Sequence, residues 1–415
     1  MRARRPARLR GALRPAARRC GCRRRGPHLP RRAARPIERA RPGVRCAHVR
    51  APGRLHKRRH QPPPRLTTNH APEQFSSTRR RHRGPREGRR CLRRPRRADS
   101  RPGRPTPARA RIHRRAPAQA ALYDLLVEPV DLPAVERRDA VAPGPHGDVP
   151  VRVYTPRELT TPDTDGRRGA IVWIHGGAFI FGDLDTAEAD HTAARLADAT
   201  GLPVISVDYR LAVDGITHPV PHDDCWAAYQ WVRAGGHGLP TDPERVAVGG
   251  GSAGACLAAS VGLHGRDADC PPAGVFLAYP LVHYPMPAPS AELAAVLETL
   301  PPLLWAGREA AVAQNDHLIG QLLGPEMTGV EHFDYAMPGN ADSLVGYPRT
   351  YIENCEADDL RASGERFTQQ LVEAGVDVEQ HTVPGETHGH LSVPGLPTAK
   401  TTCAHFAAFI SDVTR

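Results

Sequence analysis

Lysine is almost missing from this chain: of 57 basic residues, only Lys57 and Lys400 are not arginine. Such usage points to a GC-rich gene and says little about function by itself. Nowhere is there an apolar run long enough to form a membrane-spanning helix, so no membrane partner is expected. The first residues also lack the apolar core of about 7–15 residues that a secretory signal needs, and the expected compartment is the cytoplasm. Nine cysteines are present, an odd number. Cys20-Gly21-Cys22 could pair with His28 around a metal, but no second closely spaced pair completes a tetrahedral site. Free thiols and no metal are therefore expected. No internal repeat is evident.

Acidic and aromatic residues are scarce in one part of the chain only. Residues 1–120 carry 39 arginines and one lysine against Glu38, Glu73, Glu87 and Asp99, a net charge of +36. The remainder has 17 basic and 40 acidic residues, a net of −23, so the overall +13 describes neither part. Phe75 is the single Phe, Tyr or Trp in residues 1–120, and the apolar residues there follow neither a helical nor a strand period. Such a segment cannot bury enough apolar surface to offset its ordering entropy. Residues 1–118 are accordingly expected to be a disordered Arg/Pro-rich arm. Out-of-frame GC-rich DNA yields this Arg, Pro, Ala and Gly mixture, so a misassigned start or frame error is the expected origin. A genuine disordered or targeting tail, and an arm that binds nucleic acid through its arginines, are the alternatives.

The acidic remainder, residues 119–415, alternates between two patterns. Strand-like runs begin near Val149, Ala170, Pro203, Arg245, Gly274, Arg349 and Asp377. Between them lie helical stretches near Ala187–Ala199, Asp223–Arg233, Ser252–His264, Arg361–Glu373 and Thr398–Ile410. This alternation predicts an α/β domain with a mostly parallel sheet and helices on both faces.

One strand-like run, Arg245-Val246-Ala247-Val248-Gly249, leads directly into Gly250-Gly251-Ser252-Ala253-Gly254 and a small-residue helix. A serine on so tight a strand-to-helix turn has its hydroxyl lifted over the end of a sheet, and the flanking glycines remove clashing Cβ atoms. Upstream, Ala170-Ile171-Val172-Trp173-Ile174 ends in His175-Gly176-Gly177-Ala178. Ester hydrolysis passes through a tetrahedral oxyanion, and backbone N–H groups of Gly176 and Gly177, with that of Ala253, are candidate donors to it. Downstream come Asp358 in a loop after a strand and His388 in Pro384-Gly385-Glu386-Thr387-His388-Gly389-His390. The order Ser252, Asp358, His388 is the one α/β-hydrolases use. A serine hydroxyl needs a histidine to take its proton, and the resulting imidazolium needs a carboxylate to orient it.

Five blocks in order, HGGAFIFGDLDT (175–186), VDYRLA (207–212), GGSAGACLA (250–258), EADDLRASG (356–364) and ETHGH (386–390), resemble the hormone-sensitive-lipase-like α/β-hydrolases, the fold-3 esterases. The resemblance implies an α/β-hydrolase fold and a serine carboxylesterase acting on small to medium acyl esters without metal or organic cofactor. It makes Ser252 the nucleophile, His388 the general base and acid, Asp358 its orienting carboxylate, and Gly176, Gly177 and Ala253 the oxyanion donors. A lactonase, deacetylase or amidase with the same triad is an alternative, as is a catalytically silent hydrolase-fold protein binding nucleic acid through its arm. The chain departs from the family at four places: Ala178 for a third glycine, Gly251 for an acidic residue, Val213-Asp214 for Pro-Glu, and His390 for Phe. The resemblance also implies that residues 281–346 form a helical cap carrying Trp305, a candidate pocket residue. Only Pro117 to about Val141 is left for the cap's N-terminal helices, so half of it is expected to be short. The scattered His191, His218, His222, His237, His264, His283, His317 and His381 are expected to be surface or core groups.

Overall fold

A computed structural model describes residues 130–325, 333–393 and 395–415. The expectations made for residues 1–118 therefore lie outside the described residues. So does the start of the globular part before residue 130.

Eight strands form one sheet in the order β1-β2-β4-β3-β5-β6-β7-β8. They are β1 (Glu136–Ala142), β2 (Val149–Thr155), β3 (Arg168–Ile174), β4 (Val204–Val207), β5 (Thr241–Gly251), β6 (Val275–Ala278), β7 (Thr350–Ala357) and β8 (Val378–Thr387). Pairings from β4 through β3, β5, β6 and β7 to β8 are parallel, whereas β1–β2 and β2–β4 are antiparallel. The central strands RGAIVWI, VISV and VFLA are buried along nearly their whole length. Continuous apolar runs of this kind suit parallel strands covered on both faces. Edge strand β1, by contrast, is largely exposed.

Side-chain alternation in β3 divides the core. Ile171 and Trp173 join Phe276, Phe406 and Ile410 on one face, with helices α1 (Ala187–Thr200) and α8 (Pro397–Val413). Val172 and Ile174 join Val248, Leu257 and Phe367 on the other, with α2 (Val220–Arg233), α3 (Ala253–Asp267) and α7 (Arg361–Glu373). The period of two along a strand places successive residues on opposite faces, so one short strand anchors both layers. Between β6 and β7 the chain makes α4 (Ala291–Leu297), α5 (Arg308–Leu323) and α6 (Phe333–Ala336). Ser290 caps α4 by accepting the Leu293 N–H at 3.1 Å, which satisfies one of the amides a helix start leaves over.

The stretch to about Val141 was assigned to the cap's N-terminal helices, but Glu136–Ala142 is a strand, paired antiparallel with β2 along its full length. Its apolar content is too low to signal a strand, because as an edge strand it needs only one partner.

Candidate active site

Chain crossing from β5 to α3 is forced through a single residue. Ser252 has φ 54° and ψ −119°, a conformation that costs a non-glycine residue roughly 1–3 kcal/mol and survives only where the surroundings impose it. The imposition comes from close packing. A Cβ on Gly254 would fall inside contact distance of the Ile174 and His175 carbonyl oxygens, and one on Gly250 would meet the Gly254 backbone and lie 2.6 Å from Ile174 O. Small residues at both positions let α3 start directly against β3. The Ser252 N–H is meanwhile tied to Ala278 O of β6 at 2.9 Å.

Ser252, Asp358 and His388 meet at the C-terminal ends of β5, β7 and β8, although 136 positions separate the serine from the histidine. Ser252 Oγ lies 2.9 Å from His388 Nε2, and His388 Nδ1 lies 2.8 Å from Asp358 Oδ2. The Asp358 side chain is fully buried, while His388 remains 39 % exposed. Asp358 is fixed from its other side, where Oδ1 accepts the Leu360 N–H at 3.0 Å. Desolvation works against a charged His388. The attraction of Asp358, helped by Asp359 and Glu188, outweighs it and raises the imidazole pKa above the ordinary histidine value. Tyr279 packs edge-on against the imidazole, ring centroids 5.0 Å apart, and limits its rotation.

The loop after β3 folds back tightly. Ile180 and Phe181 donate to Gly177 O at 2.9 and 3.0 Å, and Gly177 takes φ 121°, a conformation in which any Cβ would collide with Phe181 O. Ala178 and Phe179 also have positive φ, 51° and 65°. Alanine at 178 is thus accommodated in a left-handed conformation that glycine would adopt more readily. The N–H of Gly176, a candidate oxyanion donor, instead donates to Glu188 Oε1 at 2.7 Å. Among the described residues the amides of Gly177 and Ala178 donate no hydrogen bond. Ala253 N–H is the first amide of α3, one of those a helix leaves without an intrahelical partner.

Trp305 lies in the segment between α4 and α5, packed against Leu293, Leu297 and Ala362. It lines a narrow cleft with Met286, Arg308, Asn315 and Asp359. Asp359 does not touch His388 by hydrogen bond. Its carboxylate accepts from Asn315 Nδ2 at 3.3 Å, and burial together with the neighbouring Asp358 pushes its pKa up. His390, where Phe is common in the family, is buried between Cys355 Sγ at 3.2 Å and Thr402 Oγ1 at 2.8 Å. The polar partners explain how a histidine is tolerated in this core position.

Among the described residues no cluster of His, Cys, Asp or Glu has the arrangement of a metal site, and the five cysteines Cys225, Cys256, Cys270, Cys355 and Cys403 are free. No helix there is long and apolar enough to cross a membrane. Of the scattered histidines, His218, His222, His237 and His283 are buried, and desolvation lowers His237 and His283 to about 4. Glu188 carries no sequence signal of its own, being one acid at the start of a helix; the glycine at 251 is its only trace.

Residues 171–392 match the family described as alpha/beta hydrolase fold. The chain is 34% identical over 283 residues to esterase LipI of Mycobacterium tuberculosis, spanning 68% of this chain and 82% of the relative. It is 35% identical over 255 residues to carboxylesterase NlhH of the same organism, spanning 59% and 72%. Among solved structures, the thermophilic carboxylesterase EstE1 from a metagenomic library superposes with TM-score 0.60 at 29% identity, covering 72% of this chain and 95% of that one. The esterase of Pyrobaculum calidifontis gives 0.59 at 28%, covering 71% and 90%. With the strained serine elbow, the sheet order and these likenesses in agreement, the chain belongs to the α/β-hydrolase fold family, among its hormone-sensitive-lipase-like carboxylic ester hydrolases.

Proposed function

We propose that this protein hydrolyses small to medium acyl esters through an acyl-enzyme formed on Ser252. The observation that carries this is the continuous hydrogen-bonded line from Ser252 Oγ through His388 to the buried Asp358. As the hydroxyl attacks the ester carbonyl, His388 Nε2 takes its proton, and Asp358 stabilises the imidazolium that forms. The raised pKa of His388 makes it a better acceptor of that proton. Negative charge gathers meanwhile on the carbonyl oxygen. The amides of Gly177 and Ala253, with that of Ala178, are the donors left to receive it, since Gly176 is committed to Glu188. His388 then returns its proton to the alkoxide leaving group, and water, activated by the same imidazole, releases the acid.

Residues 119–415 would act as the catalytic domain, with 281–346 as a cap over the site. The packing of Trp305 into one cleft with Asp359, the residue after Asp358, supports placing part of the substrate there. Ser252→Ala tests the reaction. It is expected to lower hydrolysis of 4-nitrophenyl acetate by several orders of magnitude with an unchanged circular dichroism spectrum, and to abolish labelling by a fluorophosphonate. Near-wild-type turnover by the folded variant would remove Ser252 from the chemistry.

A further inference from the structure

A buried carboxylate sits beneath the serine elbow, outside the hydrogen-bonded relay. Glu188, the second residue of α1, is 7% exposed, and both oxygens of its carboxylate have partners. Oε1 accepts the Gly176 N–H at 2.7 Å; Oε2 accepts from the Tyr279 hydroxyl and from Ser392 Oγ, both at 3.3 Å. These contacts join the loop after β3, the end of β6 and the turn that follows His388. The space for the carboxylate comes from the residue next to the nucleophile. Gly251 has no left-handed backbone that would require glycine, yet a Cβ there would lie inside contact distance of Glu188 Oε1. Gly176 is likewise crowded, its Cβ position being 3.0 Å from the same oxygen.

Glycine at 251 and glutamate at 188 are thus a complementary pair. We propose that Glu188 is a positioning residue, whose carboxylate fills the place beside Gly251 and holds the oxyanion loop by the Gly176 N–H. This inference rests on Ser252 as the nucleophile. Anchoring Gly176 fixes where the next two amides point, so that they converge with Ala253 N–H before substrate arrives. Preorganised donors are effective because they need no rearrangement as charge develops, and a displacement of about 1 Å costs on the order of 10²-fold. A group acting this way changes kcat and leaves substrate affinity nearly untouched.

The test uses the full-length chain with Glu188→Ala, Gly251→Asp and the double variant, assayed with 4-nitrophenyl acetate beside wild type and Ser252→Ala. Glu188→Ala is expected to lose about 30- to 100-fold in kcat with KM within about threefold. Gly251→Asp alone is expected to lose at least as much, because its side chain meets the Glu188 carboxylate. In the double variant the carboxylate introduced by Gly251→Asp enters the vacated space and restores at least about tenfold of the Glu188→Ala loss. Glu188→Gln, which keeps an acceptor for Gly176, covers the case in which the alanine variant does not fold; it is expected to lose less than about tenfold in kcat. A kcat for Glu188→Ala within about twofold of wild type, a double variant no better than Glu188→Ala, or a loss of about a hundredfold in folded Glu188→Gln each overturns the proposal. Wild type without Ser252-dependent hydrolysis would instead overturn the function on which it rests.

Discussion

Two carboxylates stand side by side after β7, and only Asp358 is hydrogen-bonded to His388. Replacing Asp358 by Asn removes the group that accepts His388 Nδ1–H at 2.8 Å and substitutes an amide free to donate to Nδ1. That favours the tautomer with its proton on Nε2, facing Ser252 Oγ, so the base is blocked at the atom where it must act. By the precedent of serine proteases the cost is ~10⁴ in turnover, about 5 kcal/mol of transition-state stabilisation. Asp359→Asn leaves this bond intact and alters only the contact to Asn315 and a weaker attraction on His388; a loss below about tenfold is expected. The pH dependence separates the two further. Asp358 is the main group holding the His388 pKa up against desolvation, so without it the pKa falls. With the neutral imidazole as the proposed base, the acid limb of kcat/KM in wild type is expected above the ordinary histidine value. It shifts to lower pH in Asp358→Asn and only slightly in Asp359→Asn. Stability follows the same sign: a raised histidine pKa stabilises the fold below its unfolded value, and that contribution is lost as pH rises through the folded pKa. Initial rates with 4-nitrophenyl acetate from about pH 5 to 9, with circular dichroism on each variant, decide the matter. A larger loss on Asp359→Asn, or no change in the limb on removing Asp358, refutes the assignment.

Gly254→Ala places a methyl group against the Ile174 and His175 carbonyls. Backbone cannot move aside cheaply there, so a loss of roughly 2–4 kcal/mol in urea denaturation is expected, with activity lost alongside. An unchanged midpoint would show that α3 can withdraw from β3. Deleting residues 1–115 is expected to leave the melting temperature and esterase rate within error, as their composition provides no core. A lower melting temperature would show that the arm contributes to the fold, and lost affinity for DNA with activity retained would make it a binding arm.

Much of this arrangement is determined locally and so is legible in sequence. The glycines around Ser252, the buried runs of β3, β4 and β6, and the order Ser252, Asp358, His388 are properties of short segments, and the pattern Ile171-Val172-Trp173-Ile174 already implies two covered faces. Strand β1 escaped because an edge strand such as ERRDAVA needs hydrogen bonds to one neighbour and little burial. The oxyanion loop shows the other limit. Sequence offers Gly176 and Gly177 as equal donors, but whether an amide is free depends on what approaches it, and Glu188 reaches Gly176 only once α1 is packed against the sheet. The same packing explains Gly251, whose lack of a side chain means little along the chain and becomes necessary beside a buried carboxylate. Chemistry carried by residue type and spacing was fixed by the chain itself. Which amide stays unpaired, which of two adjacent aspartates meets His388 and which buried acid lies against Gly251 were decided by tertiary contacts, because hydrogen bonds and steric exclusion act over a few ångströms in space whatever the separation in sequence.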